Sequence, residues 1–502
     1  MASGLVQIYL SIPGRNTMHF TRLLSRWIVT FSFLVLLFII MIVALCQQKS
    51  REWILDHESE LPPRIPFMLD SADRQYLGHM DRNPSLIEEI PCAENVPCCN
   101  IPTSRIPEFQ VVFKMGASEP IDRVYSNLNH TSKCIPNVLV VSDKEQKIGR
   151  FHAHDVIDNL PSWYRKHNKE FKDYDNLNKP DTDASSISYA NGHRLDKFKF
   201  LPMIEYAYEK NPNAKWFIFL EADTFISWNN VFQLLDQYNH SLPLYFGSPA
   251  PGRILPDGKK TWFAHGGTGY VLSSAAMELL VSRTDSLNGQ YLPRLSEQFE
   301  TLIKEDCCGD SVLGYALAWK GIPLTGLTPM FNPHSLHMLS FSTESWCIPI
   351  ISIHKAQGQD ISGLSDFAAA KNKSFPKNSS LLYGDLFEYL QLSHIDVLDN
   401  WDNTALVPLL EVESNLAHES FAACAETCYN HTDCFQFTYK SSWRSKQCLL
   451  TSDIKRGQRK VPELNRRGRN TYVSGWDIGK IQKFADANRC VDAEWALPGI
   501  NH

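Results

Sequence analysis

No long basic run, no internal repeat and no low-complexity tract occurs in this chain of 502 residues. With a formal net charge of only −6, the missing basic run leaves no electrostatic case for nucleic acid as a partner. The missing repeats and biased tracts exclude a repeat array or a disordered tail as the main body. An apolar fraction of 43% and a charged fraction of 21% are ordinary for a globular protein. The length exceeds one typical domain, so a large core with something appended is expected. Cysteine is scarce at the start: of 13 in the chain, all but Cys46 lie beyond residue 90.

Charge is wholly missing from one segment, Trp27 to Cys46, "WIVTFSFLVLLFIIMIVALC". At about 1.5 Å rise per residue it reaches roughly 30 Å, the hydrocarbon thickness of a bilayer. A cleaved signal peptide has a shorter apolar region and a shorter leader than the 26 residues found here. Arg15, Arg22 and Arg26 precede the segment, while Lys49 and Arg51 follow it, a mild positive-inside bias. Asn129, Asn239, Asn372, Asn378 and Asn430 each open an N-x-Ser/Thr sequon, all on the same side of the segment as the cysteines. Sequons and cysteines together favour an oxidising lumen. The expectation is a cytoplasmic tail (1–26), a transmembrane signal anchor (27–46) and a lumenal body.

Residues 47–105 carry charges and prolines with little periodicity and read as a stem, its end pinned by Cys92, Cys98 and Cys99. Strand and helix signals then alternate, the mark of an α/β layer fold. "FQVVFKM" (109–115), "NVLVVSD" (137–143) and the start of "WFIFLEADTFISW" (216–228) read as strands. Helices are expected over 195–210, kinked at Pro202, over 273–282 with serine caps, and over 310–321 with Asp310 at the N-cap and Gly321 past the end. Past residue 415, Cys424, Cys428, Cys434 and Cys448 crowd together, as in a disulfide-stapled module rather than a metal knuckle.

The chemistry-bearing residues sit at strand ends, where open α/β sheets bind ligands. Glu221 and Asp223 close the run 216–220, and the pleat of an i, i+2 pair sends both carboxylates to one side. A divalent cation carrying a diphosphate would relieve their repulsion. Alone, such a pair is more often a cap or a surface ion pair. "FAHGGTGYVLS" (263–273) supplies Gly266, Gly267 and Gly269 for close backbone approach to a ligand. "EDCCGDSVLGYAL" (305–317) puts Asp310 at a helix start, and "SWCIPIISIHK" (345–355) ends a strand in His354.

In that order these stretches resemble glycosyltransferase family 31, the fringe and core 1 β-1,3-galactosyltransferase group, over about residues 106–360. "FLEADTF" resembles the family's acidic metal motif, "GGTGYVLS" its glycine stretch, "GDSVLG" its acidic pair before a helix and "SIHK" its late histidine. The resemblance implies a GT-A nucleotide-sugar transferase fold with a Rossmann-like sheet, as a catalytic domain over 106–410. It implies an inverting, manganese-dependent enzyme of the Golgi membrane that takes a UDP-sugar, most naturally UDP-galactose, to a glycan or glycoprotein in β-1,3 linkage. A fringe-like N-acetylglucosaminyl transfer and an inactive carbohydrate-binding membrane protein are the alternatives. By the same resemblance Asp223 and His354 hold Mn2+, Asp310 is the catalytic base, and Asp143, Glu221, Gly266 and Gly267 bind the nucleotide-sugar, with Lys197 or Lys199, near Asp196, as the lysine that helps hold it. Two positions depart from the family pattern, Glu221 in place of aspartate and Gly309 in place of the first acid of the pair. The C-terminal cysteines with "CFQFTY" resemble a PAN or apple module over 415–480, followed by a tail (481–502). That resemblance implies the pairs Cys428–Cys434 and Cys424–Cys448, and separability of the module near residue 412.

Overall fold

Apolar runs become strands buried on both faces. The computed structural model describes residues 103–179, 194–283, 293–374, 380–442, 444–465 and 468–496. The expected anchor, the stem with its cysteines and the sequon at Asn378 lie outside the described residues. Among those described, no helix is long and apolar enough to cross a membrane.

In chain order the body has strands β1 (Phe109–Lys114), β2 (Val138–Ser142), β3 (Gln146–Ile148), β4 (Phe151–Asp155), β5 (Trp216–Glu221) and β6 (Phe225–Ile226). These are followed by β7 (Tyr245–Gly247), β8 (Pro249–Ile254), β9 (Lys260–Ala264), β10 (Tyr270–Ser273), β11 (Thr325–Gly326), β12 (Phe331–Asn332) and β13 (Ser352–Ile353). An 8-stranded mixed sheet has the order β11-β7-β10-β5-β1-β2-β4-β3. The middle strand β5 runs parallel to β1, with Lys114 opposite Glu221, and antiparallel to β10. Phe217 and Phe219 pack on one face with Leu201, Met203 and Leu313, while Trp216, Ile218 and Leu220 pack on the other with Val231, Phe232 and Phe331. Burial of both faces is why the run shows no polar alternation. β12, β13 and β6 form a small second sheet that carries the chain back beside the end of β5.

Four helices matter for the site and its surroundings: α1 (Ile121–Cys134), α2 (Phe200–Lys210), α3 (Ser274–Val281) and α4 (Gly309–Trp319). The helix expected over 195–210 is split into a 3-10 turn, Asp196–Phe198, and α2. Pro202 falls in the first turn of α2, where its missing N–H has no intrahelical partner to lose, so it produces no kink. Ser273 caps α3 by accepting from the Ala276 N–H, at 3.1 Å.

The C-terminal region begins earlier in the chain than its cysteines suggest. β14 (Val397–Asp399) and β15 (Trp401–Asp402) join β16 (Gln436–Ser441), β17 (Lys446–Thr451), β18 (Gln458–Arg459), β19 (Glu463–Asn465) and β20 (Gly468–Trp476). Four of these make the sheet order β14-β20-β16-β17, with β19 on β20, while β15 pairs with β18. Helix α5 (Phe421–Asn430) is tied by Cys424–Cys448 and Cys428–Cys434, the pairs the resemblance implies. Asn403 is fully buried and bonded to Thr438, Ser474, Gly475 and Gln436. A boundary between residues 410 and 415 therefore cuts through one hydrogen-bonded unit.

Nor do residues 478–490 stand apart. Helix α6 (Ile478–Ala487) leads to a disulfide from Cys490 to Cys347, and Ile454, Trp476 and Ile481 share a core with Phe341, Trp346 and Leu386. Module and body are thus packed and crosslinked together, against the expectation of a cut near residue 412.

Candidate functional site

The strand carrying the carboxylates ends at Glu221, and the Thr224 N–H donates to the Glu221 carbonyl to close a turn. Asp223 lies in that turn, so the pleat no longer holds the two acids on one side. This corrects the expectation of a paired i, i+2 site. Glu221 turns to the Lys114 ammonium, at 3.2 Å, whereas Asp223 faces His354, with Oδ2 3.6 Å from Nε2. The turn is held from behind by Asn127 on α1, whose side-chain amide donates to the carbonyls of Glu221, Ala222 and Thr224. Thr131 in turn donates to Asn127 Oδ1.

Two adjacent glycines bring the remaining residues in. A Cβ on Gly267 would lie 2.1 Å from His354 Nε2, so only glycine lets the imidazole approach. The Gly266 N–H donates to Asp310 Oδ2 at 2.8 Å, and a Cβ there would meet Glu221 Oε1 at 2.9 Å and the Phe200 ring at 3.0 Å. Asp310 is not the N-cap expected: Cys308 holds that position, and Asp310 stands in the first turn of α4 with its carboxylate turned to Gly266. Gly309 has its own reason. A Cβ there would lie 2.4 Å from Phe200 and 2.8 Å from the Lys197 carbonyl oxygen, so an acid cannot occupy that position without moving α2.

Charge in the site is tightly arranged. Lys114 bridges Glu221 and Asp196, and Lys199 bridges Asp196 and Asp143 at 3.3 and 3.1 Å. Burial would raise the Asp196 carboxyl, but Lys114 and Lys199 outweigh it and hold it well below the usual range. For Glu221 burial wins: with Asp196, Asp223 and Asp310 near it, the carboxyl is pushed up to about 7 despite Lys114. Asp310 is also raised, by burial, with the Gly266 N–H opposing. Burial pushes His354 down to about 4, leaving its imidazole neutral.

These features test the implied manganese. A neutral imidazole nitrogen and a carboxylate oxygen 3.6 Å apart, with a glycine clearing the space beside them, suit one divalent cation touching both. The chemistry of the pair fits. Asp223 and His354 offer a partial ligand set, with room left for oxygen atoms from a substrate.

The other expected residues are placed differently. Asp143 is fully buried, accepting from the Ala117 N–H at 2.7 Å and paired with Lys199. Lys197 donates to the carbonyls of Lys304 and Asp306 and lies 3.5 Å from Glu170, which makes it a clamp between elements. Lys199, its neighbour two residues on, is the lysine that reaches the acidic network. Sequence reading missed Lys114 and His265. Lys114 closes a run of strand residues with its partners far along the chain. His265 stacks obliquely on His354, with ring centres 4.9 Å apart, and was visible only as the residue before the glycines.

Comparison with known proteins gives matches to two families. Residues 147–358 match the family model described as Fringe-like, and residues 400–474 match the PAN domain. The beta-1,3-N-acetylglucosaminyltransferase radical fringe of Xenopus laevis is 27% identical over 143 residues, 26% of this chain and 39% of that protein. The glycoprotein-N-acetylgalactosamine 3-beta-galactosyltransferase 1 of Xenopus laevis is 32% identical over 100 residues, 19% of this chain and 26% of that protein. The chain thus spans well under half the length of these relatives. The middle of the chain is thus similar to the Fringe-like family, and the region after it to the PAN domain.

Proposed function

We propose that this chain, with its Fringe-like domain as premise, is an inverting UDP-sugar-dependent β-1,3-glycosyltransferase of the GT-A fold. The reading includes a Golgi membrane protein anchored by residues 27–46, with its body in the lumen. The observation that carries it is the Gly266–Gly267 turn, which seats Asp310 on one side and admits His354 toward Asp223 on the other. A base and a cation-binding pair meet across two residues.

In mechanism, Asp310 takes the proton of the acceptor hydroxyl as that oxygen attacks the anomeric carbon. Its raised proton affinity, a product of burial, suits that task, and the N–H groups of Gly266 and Ser311, one on each oxygen, hold the carboxylate in place. Asp223 and His354 would hold Mn2+, which when bound supplies charge neutralisation for the departing diphosphate. Lys114 keeps Glu221 aligned beside the glycine turn. The relatives' names point to two donors, galactose and N-acetylglucosamine; we favour UDP-galactose, with N-acetylglucosaminyl transfer as the alternative.

The test is a pair of substitutions that retain size. Asp223→Asn should abolish metal-dependent UDP binding by calorimetry. Asp310→Asn should keep UDP–manganese affinity while transfer to a panel of glycan acceptors falls about 10²–10⁴-fold, the reach of general-base catalysis. Wild-type affinity in Asp223→Asn removes the metal assignment. No hydrolysis or transfer by the wild-type chain from any UDP-sugar would leave a carbohydrate-binding protein instead.

A further inference from the structure

We propose a second metal site at the edge of the large sheet, built from Glu145, His152 and His154 and suited to a borderline divalent cation such as Zn2+. Residues i and i+2 of a strand face the same way, so β4 presents both histidines together while Ala153 between them is buried. In the β3–β4 pairing Gln146 stands opposite Ala153, which sets Glu145, the residue before β3, across from His154. One ligand atom from each of the three lies within 4.8 Å of the others.

The details go beyond a chance surface ion pair. Glu145 Oε1 contacts His152 Nε2 and lies 3.5 Å from His154 Nδ1, so two imidazoles converge on a single carboxylate oxygen. The other oxygen accepts from the Asp155 N–H at 2.8 Å, which orients the carboxylate as an outer-shell partner orients a metal ligand. The rings sit edge to face with centres 4.6 Å apart. One hydrogen bond would account for one histidine. A shared cation accounts for both.

Two imidazoles and one carboxylate select Zn2+, Ni2+ or Cu2+ over Mg2+ or Ca2+, which prefer oxygen. Three protein ligands also leave a position open. The two histidines also line a groove of about 600 Å3, with Asn137, Arg150, Tyr206 and Lys210. The two histidines lie on β4, separated from β5 by β2 and β1, so this site is not that of Asp223 and His354.

The experiment is a Zn2+ titration of the chelator-stripped full chain by calorimetry, with Co2+ absorption as a second readout of imidazole ligation. An equivalent of Zn2+ should remain in Asp223→Asn and should weaken roughly tenfold or more in His152→Gln/His154→Gln. Circular dichroism checks the fold of the double variant. Should that variant unfold, Glu145→Gln alone should weaken the same equivalent. Unchanged Zn2+ stoichiometry and affinity in a folded variant, or no Zn2+ equivalent left in Asp223→Asn, overturns the proposal.

Discussion

The Fringe-like body and the PAN module both bury polar side chains, but of opposite kinds. Under the carboxylates of the body lies a charged chain, Glu221–Lys114–Asp196–Lys199–Asp143. At the centre of the module lies a neutral one, in which Asn403, Gln436, Thr438 and Ser474 share hydrogen bonds. Neutral groups that satisfy one another stabilise a fold with little dependence on surroundings. Buried charges stand only while every partner is present, and they tune whatever lies next to them. The body's polar core thus tunes the charges beside it, and the module's polar core holds its shape.

The strongest way to break this comparison is to separate the regions. A chain cut before residue 397 loses β14, the Cys490 partner of Cys347 and the module's share of a common core. It should fail to yield soluble, secreted body, as read by expression and near-ultraviolet dichroism. A folded body from that cut would show the two regions to be independent. Next comes Lys199→Met, which strands Asp143 and leaves Asp196 with Lys114 alone. It should cost about 3–5 kcal/mol in urea unfolding, the scale for one lost partner of a buried ion pair. Thr438→Val should cost less, about 1–3 kcal/mol, as neutral partners are left unbonded. Comparable losses in these two would erase the distinction between the networks. Gly309→Ala tests the departure from the family pattern. Overpacking against Phe200 should cost about 1–3 kcal/mol, with UDP–manganese affinity retained.

How much of this was legible in the sequence depended on how local the cause was. β1, β2 and β5 were readable because an apolar run buried on both faces looks the same at every position. Cys424–Cys448 and Cys428–Cys434 were reachable through the resemblance of a short segment. The pairing of Glu221 with Asp223 failed because the strand stops two residues short of Asp223, a matter of where Thr224 donates its N–H. Asp310 looked like a cap because Asp at a helix start usually is one; its true partner, Gly266, is 44 residues away. The charged chain joins residues from β1, the end of β2, the 3-10 turn, the start of α2 and β5, and no window of sequence contains them together.

Asn127 and Thr131 reach beyond the site they brace. Asn129 between them opens a sequon whose third residue, Thr131, is buried and bonded to Asn127 once α1 has docked. Attachment of a glycan requires access to that threonine, while Asn129 itself stays exposed afterwards. A sugar found on Asn129 was thus added before the helix settled behind the carboxylates. Its occupancy is a record of timing, a measure of how long each newly made chain waited before its site closed.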